Sequence, residues 1–216
     1  MTETEYRAVD FEIGELRAGK DDGSIGQIAG YSIIWDTPSA NLPYTEIIHK
    51  GALDGVNLSD VLALYNHDFA NILGRVSAGT LKLNVDDHGL HYVIDIPDTT
   101  LGHDVYTNIK NGNLKGLSFR FTIANGGEQW KQINGQPTRV ISKIATMREI
   151  SVVSFPAYDD TSIEVTRSFK EFTKAQQYKG KVLATLPTYE IDIGQWCRFF
   201  YCTRKETKHA TTKQVE

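Results

Sequence analysis

The chain has 216 residues, 40% hydrophobic and 23% charged, and its 23 Lys and Arg against 27 Asp and Glu give a formal net charge of -4. This composition supports one buried core rather than two full domains and lies far from the charge-rich, apolar-poor composition of disordered chains. The mild acidity offers no footprint for nucleic acid, no run approaches the roughly 20 apolar residues that span a bilayer, and the N-terminus lacks a basic start and apolar stretch, so a cytosolic protein with no nucleic-acid or membrane partner is expected.

Residues 1–24 mix charge and glycine and predict one strand around 8–13, ahead of the loop 19–23. From 25 to 165 the chain is dense in β-branched and aromatic residues, with turn signals every 8 to 15 positions, which predicts a β-rich domain. Strands are expected over 31–35, 45–49, 61–65, 80–85 and 90–96, the last bounded by Pro97. One helix follows: Asp98, Thr99 and Thr100 offer caps, Leu101, Val105 and Ile109 recur every four residues, and Asn111-Gly112 stops the run. Leu117, Phe119, Phe121 and Ile123 alternate with Ser118, Arg120 and Thr122, so a strand here sends four apolar side chains into the core and three polar ones to the other face. Asn125-Gly126-Gly127 turns the chain, and Asn134-Gly135 between segments 129–133 and 138–144 is a hairpin signal, since both residues tolerate positive φ. A strand over 148–154 closes at Phe155-Pro156. For 162–178, where Phe169 and Phe172 form a sparse apolar stripe, a helix and a linker both fit. The tail 203–216 has little to bury and is expected to be flexible, and no internal repeat is present.

Gly-rich phosphate loops, glycine-flanked serine elbows and the HExxH pattern are all absent, so any catalytic group must be assembled from separated residues. His67, at the end of the apolar segment 61–65, suits a general base because imidazole titrates near neutrality. A histidine at a strand end serves equally well as a surface or hydrogen-bonded structural residue. Ser118, on the polar side of its strand with Gly116 shortly before it, fits a nucleophile or a structural serine. Glu149 lies in a segment that reads as buried and therefore needs a partner, which could be an imidazole it orients or an Arg or Lys. Asp86, Asp87, His88, His91 and His103 are donors close in sequence, but His88-Gly89 reads as a turn and a strand would place His91 opposite His88, so no metal site or cofactor is expected. Cys197 and Cys202 have no second ligand pair and are expected to be reduced thiols. Tyr44, Tyr65, Tyr92, Tyr106 and Tyr158 are scattered, as core and rim packing requires.

Four blocks in order resemble the prohead serine proteases of tailed bacteriophages, a family distantly similar to the herpesvirus assemblins. They are Gly30-Tyr31 through Trp35 with Glu46-Ile47-Ile48 and Gly51-Ala52-Leu53; residues 61–68 ending in Asn66-His67-Asp68, followed by Gly74-Arg75 and Gly79-Thr80-Leu81; residues 112–121 around Gly116-Leu117-Ser118-Phe119; and residues 148–158 from Arg148-Glu149-Ile150-Ser151 to Pro156-Ala157-Tyr158. Leu53 departs slightly from the family's Gly-Ala-Phe. The resemblance covers about residues 26–165.

Carried over, it makes His67 the base, Ser118 the nucleophile and Glu149 the orienting acid of an acyl-transfer site, with backbone N–H groups near Ser118 and the side chains of Arg148 or Arg139 as oxyanion or substrate candidates. It implies an assemblin-like β-barrel with peripheral helices, that is, a β-rich α+β fold. The protease domain would span 1–165, and 166–216 would be a C-terminal extension, partly helical or flexible, that is open to self-cleavage. The implied substrates and partners are the major capsid protein and the scaffold protein or domain, cut inside the assembling prohead in the host cytoplasm, with the enzyme a homodimer. Two other readings stand beside it: a noncatalytic capsid-assembly protein on the same fold, and a β-barrel ligand-binding module with a sealed apolar pocket.

Overall fold

A computed structural model describes residues 4–10, 15–18, 23–39, 44–154 and 169–177. The chain divides into units 1–175 and 176–216, and the strands and first helix below all belong to the first. In order they are β1 (Thr4–Asp10), β2 (Glu15–Ala18), β3 (Ser24–Ile34), β4 (Thr45–Ile48), β5 (Leu62–Tyr65), β6 (Asp68–Arg75), β7 (Leu81–Val85), β8 (Gly89–Pro97), α1 (Thr100–Lys110), β9 (Gly116–Ile123), β10 (Glu128–Ile133), β11 (Gln136–Ile141) and β12 (Ile144–Val153). A further helix, α2, covers 169–177. The Cys197 and Cys202 thiols, Tyr158, the end of the fourth block and the tail lie outside the described residues.

The strands form three sheets, with orders β1-β9-β12-β5-β6, β2-β3-β8-β7 and β10-β11-β4. The expected strand-rich character holds; no closed barrel is present among the described residues. Leu117, Phe119, Phe121 and Ile123 of β9 are buried as their alternation requires, and they join Ile28, Leu73, Tyr92, Ile94, Ile150 and Val152 in one core. Helix α1 obeys its sequence signals. Thr99 Oγ1 accepts from the Gly102 N–H at 3.0 Å, Val105 and Ile109 are buried, and Gly112 leaves the helix at φ 74°. The Asn134-Gly135 turn has both residues left-handed, at φ 51° and 77°, and joins β10 to β11.

Several elements differ from the sequence expectation. The N-terminal strand lies earlier, over Thr4–Asp10. β3 begins at Ser24 rather than 31: in its first half Gly26 and Gln27 interrupt the apolar residues and are buried for specific partners, so the segment shows no strand alternation. A side chain at Gly26 would sit 2.4 Å from the Tyr106 ring, and Gln27 donates to buried Asp95. β6 is an edge strand whose first five residues stay largely exposed, so it carries no apolar periodicity to read. The expected segment 138–144 breaks at Ser142 and Lys143, whose N–H groups both donate to Gly127 O, and β12 then starts at Ile144.

A buried ion network fastens β1 to the three-stranded sheet. Arg7 Nη2 donates to Glu5 at 2.5 Å and to Glu46 at 2.7 Å, while its Nε meets the second Glu46 oxygen. Arg139 Nη1 reaches Glu5 at 2.7 Å and Glu46 at 2.9 Å, Nη2 reaches Glu5 at 2.7 Å, and Nε reaches Glu128 at 2.5 Å. Burial alone would raise the Glu5 carboxyl, but hydrogen bonds from Arg139 and the charges of both arginines hold it below its ordinary value. Beside the network, burial and Glu46 push the Tyr44 phenol up to about 12. The Tyr44 ring stands edge-on to Trp130 at 4.8 Å, and Trp130 also meets Phe169 and Phe172 at 5.5 and 5.8 Å; of the segment 162–178, residues 169–177 are helical and the others lie outside the described residues.

Candidate active site

Three adjacent strands build the site. β9 pairs antiparallel with both β1 and β12, and β12 pairs parallel with β5. The register gives two rungs across the sheet, separated by the rung of Arg7, Phe119 and Ile150: Tyr6, Arg120 and Glu149 in one, Ala8, Ser118 and Ser151 in the other. Since residues two apart on a strand share a face, Ser118 and Arg120 look the same way, as do Glu149 and Ser151. Ser118 and Glu149 are therefore diagonal neighbours on one face, although 31 positions separate them in sequence.

His67 enters from the tight turn between β5 and β6. Asn66 and His67 are both left-handed, at φ 51° and 59°, as a two-residue hairpin loop with the right twist requires. The turn is tied to the end of β12: the Asn66 N–H donates to Val152 O at 2.9 Å, and Asn66 Oδ1 accepts from the Ser154 N–H at 3.1 Å. His67 is thus held by turn geometry as well as by position at a strand end, and its imidazole is carried back over the β12 face.

There His67 Nδ1 lies 2.7 Å from Glu149 Oε1. A carboxylate only accepts, so Nδ1 is the donor of this bond, and in the neutral ring Nε2 presents a lone pair. Glu149 is fully buried, and its other oxygen, Oε2, accepts from the hydroxyl of Ser151. The Tyr6 ring stands edge-on to the imidazole at 4.9 Å, and the Arg120 guanidinium lies over Tyr6 at 5.1 Å and Phe69 at 5.7 Å. His67 Nε2 and Ser118 Oγ are both buried and neither makes a hydrogen bond, in an interior where polar atoms nearly always have partners. The two atoms are thus not hydrogen-bonded to each other, and proton abstraction from the serine needs them brought within hydrogen-bond reach.

His67, Ser118 and Glu149 thus come to one face of one sheet. Of the two arginines, Arg139 does not join them. Each of its three nitrogens is on a carboxylate of Glu5, Glu46 or Glu128, it is 1% exposed, and it has no donor left for an oxyanion. Arg148 sits exposed in a β-bulge of β12 between Met147 and Glu149. Ser151, Tyr6 and Arg120 were not singled out from the sequence. Ser151 was legible as the residue two on from Glu149 in a strand, whereas Tyr6 depends on the pairing of β1, which no local pattern reveals.

The donor residues between 86 and 103 are dispersed. Asp86 accepts from the N–H groups of His88 and Gly89 and from the Tyr31 hydroxyl, Asp87 pairs with Lys50, and His103 pairs with Asp98. His88 lies in the turn ahead of β8, so strand alternation does not govern it, and both its ring and that of His91 stand edge-on to Tyr31. No group of three or more such residues is placed to hold a metal ion among the described residues. Nor is any helix among them long and apolar enough to cross a membrane.

No curated protein matches the chain. A solved structure, the bacteriophage T4 capsid assembly protease, is similar at 12% identity with a TM-score of 0.49, over 71% of this chain and 98% of that one. The family model of the caudovirus prohead serine proteases, which act in capsid assembly and maturation inside the assembling capsid, matches residues 13–175, and the chain belongs to that family.

Proposed function

We propose that this protein is a serine endopeptidase of prohead maturation in which His67 is the base, Ser118 the nucleophile and Glu149 the acid that orients the base. The observation that carries the reading is the 2.7 Å contact between His67 Nδ1 and Glu149 Oε1 at a fully buried carboxylate, with His67 Nε2 and the Ser118 hydroxyl both buried and neither hydrogen-bonded. Ser118 Oγ attacks the scissile carbonyl as Nε2 takes its proton, forming the tetrahedral intermediate. The imidazolium, stabilised by Glu149, returns that proton to the leaving amine as the C–N bond breaks, and water then releases the acyl group by the same two transfers. Donors for the oxyanion are backbone N–H groups near Ser118, with Arg148 the remaining arginine candidate.

The substrates are the scaffold protein or domain and the major capsid protein, cut inside the prohead within the host cytoplasm, and the chain also cleaves itself. The catalytic domain spans 1–165. Residues 166–216 form an extension in which self-cleavage falls, and the enzyme works as a homodimer. The three sheets are the parts of an assemblin-like barrel, a view supported by the packing of β6 on β8 across two of them. The catalytic reading is preferred to the noncatalytic alternative because His67, Ser118 and Glu149 are all present and His67 is hydrogen-bonded to Glu149. Coexpression with the cognate capsid and scaffold proteins tests the proposal: the native chain yields shortened products, and Ser118→Ala and His67→Ala each leave the partners full length. Unchanged cleavage with either variant overturns it.

A further inference from the structure

A carboxylate that orients a histidine has two oxygens, and in a fully buried position both need partners. Glu149 is 0% exposed and spends Oε1 on His67, so the direction in which the carboxyl group faces depends on what holds Oε2. That partner is the hydroxyl of Ser151, itself 0% exposed, two residues on along β12 and on the same face. Ser151 also lies directly across the strand pair from Ser118, so the rung that carries the nucleophile carries this support as well.

We propose that Ser151 is a positioning residue of the proteolytic site, a fourth member that acts through Glu149 and does not touch substrate. The inference rests on the reading of His67, Ser118 and Glu149 given above. Rotation of the Glu149 carboxyl about its last side-chain torsion would break its contact with Nδ1, and the Ser151 donor locks that torsion. It also supplies a charge-assisted hydrogen bond to the anion that faces the imidazolium during acyl transfer. Without the hydroxyl, Oε2 is left buried and bare, and the carboxyl group is free to swing toward other donors.

The test uses the full chain and a fluorophosphonate probe, which acylates an activated serine without needing the natural substrate, with thermal melting as the check of folding. Ser151→Ala is expected to melt within a few degrees of the native chain and to react about 10- to 100-fold more slowly, as loss of one hydrogen bond to a buried charged group implies. Ser151→Thr keeps the hydroxyl and is expected to restore most of the rate. A proton NMR spectrum supplies the readout that a merely structural role would not move: the downfield Nδ1 proton of His67 persists in Ser118→Ala and in Ser151→Thr, and broadens or shifts upfield in Ser151→Ala. If Ser151→Ala labels at the native rate and keeps that resonance, Ser151 has no positioning role. If Ser118→Ala still labels, the serine-protease reading itself fails, whatever Ser151 does.

Discussion

Replacement of Glu149 by Gln keeps the shape of the side chain and removes its charge. The amide can still offer an oxygen to His67 Nδ1 and turn its NH2 to the Ser151 hydroxyl, which can accept, so the geometry of the site survives. What disappears is the attraction between the carboxylate and the imidazolium that forms when Ser118 gives up its proton. Two unit charges about 4 Å apart at an effective dielectric of about 20 attract by about 4 kcal/mol. At roughly 1.4 kcal/mol per factor of ten, that corresponds to a loss of about 10³ in the acylation rate. If the amide instead faces its NH2 to the ring, the other imidazole tautomer is enforced, Nε2 carries the proton, and the loss approaches about 10⁴. The stability of the folded chain is expected to hold or rise slightly, because a buried charge has been removed. Fluorophosphonate labelling kinetics measure the rate and thermal melting measures the stability. Labelling of Glu149→Gln within tenfold of the native rate, with a normal melt, would refute the role assigned to Glu149.

Other consequences concern the frame that holds the site. Arg139→Met leaves Glu5, Glu46 and Glu128 without their shared cation, and breaking a buried ion network in this way costs about 3 to 5 kcal/mol, or very roughly 6 to 20 °C in melting temperature; a large activity loss with an unchanged melt would return Arg139 to the oxyanion. Because the folded Glu5 carboxyl lies below its ordinary value, its contribution is present above about pH 4.5 and is lost as pH falls through the folded value. Melting temperature is therefore expected to drop on acidification below that point, with a shallower acid slope in Glu5→Gln; equal slopes would contradict the linkage. Tyr44→Phe removes a buried hydroxyl that makes no hydrogen bond while keeping the ring on Trp130, and is expected to be neutral or to stabilise by up to about 1 kcal/mol in denaturant unfolding. A loss above that size would mean the hydroxyl has a role the structure does not display.

Much of this architecture could be read locally. The alternation in β9, the cap and stop signals of α1 and the Asn134-Gly135 turn each state their structure within a dozen residues. The first half of β3 and the exposed part of β6 did not, because buried Gly26 and Gln27 answer to Tyr106 and Asp95 far along the chain, and an edge strand has no apolar face to show. Arg139 illustrates the same limit in the candidate site. Nothing around an arginine announces that Glu5, 134 positions away, will claim its donors. His67 and Glu149 stand 82 positions apart, and only the motif resemblance joined them. Their bond becomes intelligible once the parallel pairing of β5 and β12 sets the His67 turn over the Glu149 face.

The most direct measurement locates the reactive serine. Protein isolated from assembling proheads is treated with a fluorophosphonate, digested, and mapped by mass spectrometry. The account predicts one adduct, on Ser118 in the native chain, and none at that position in His67→Ala. An adduct on a different serine, or native-rate labelling of Ser118 without His67, would contradict it.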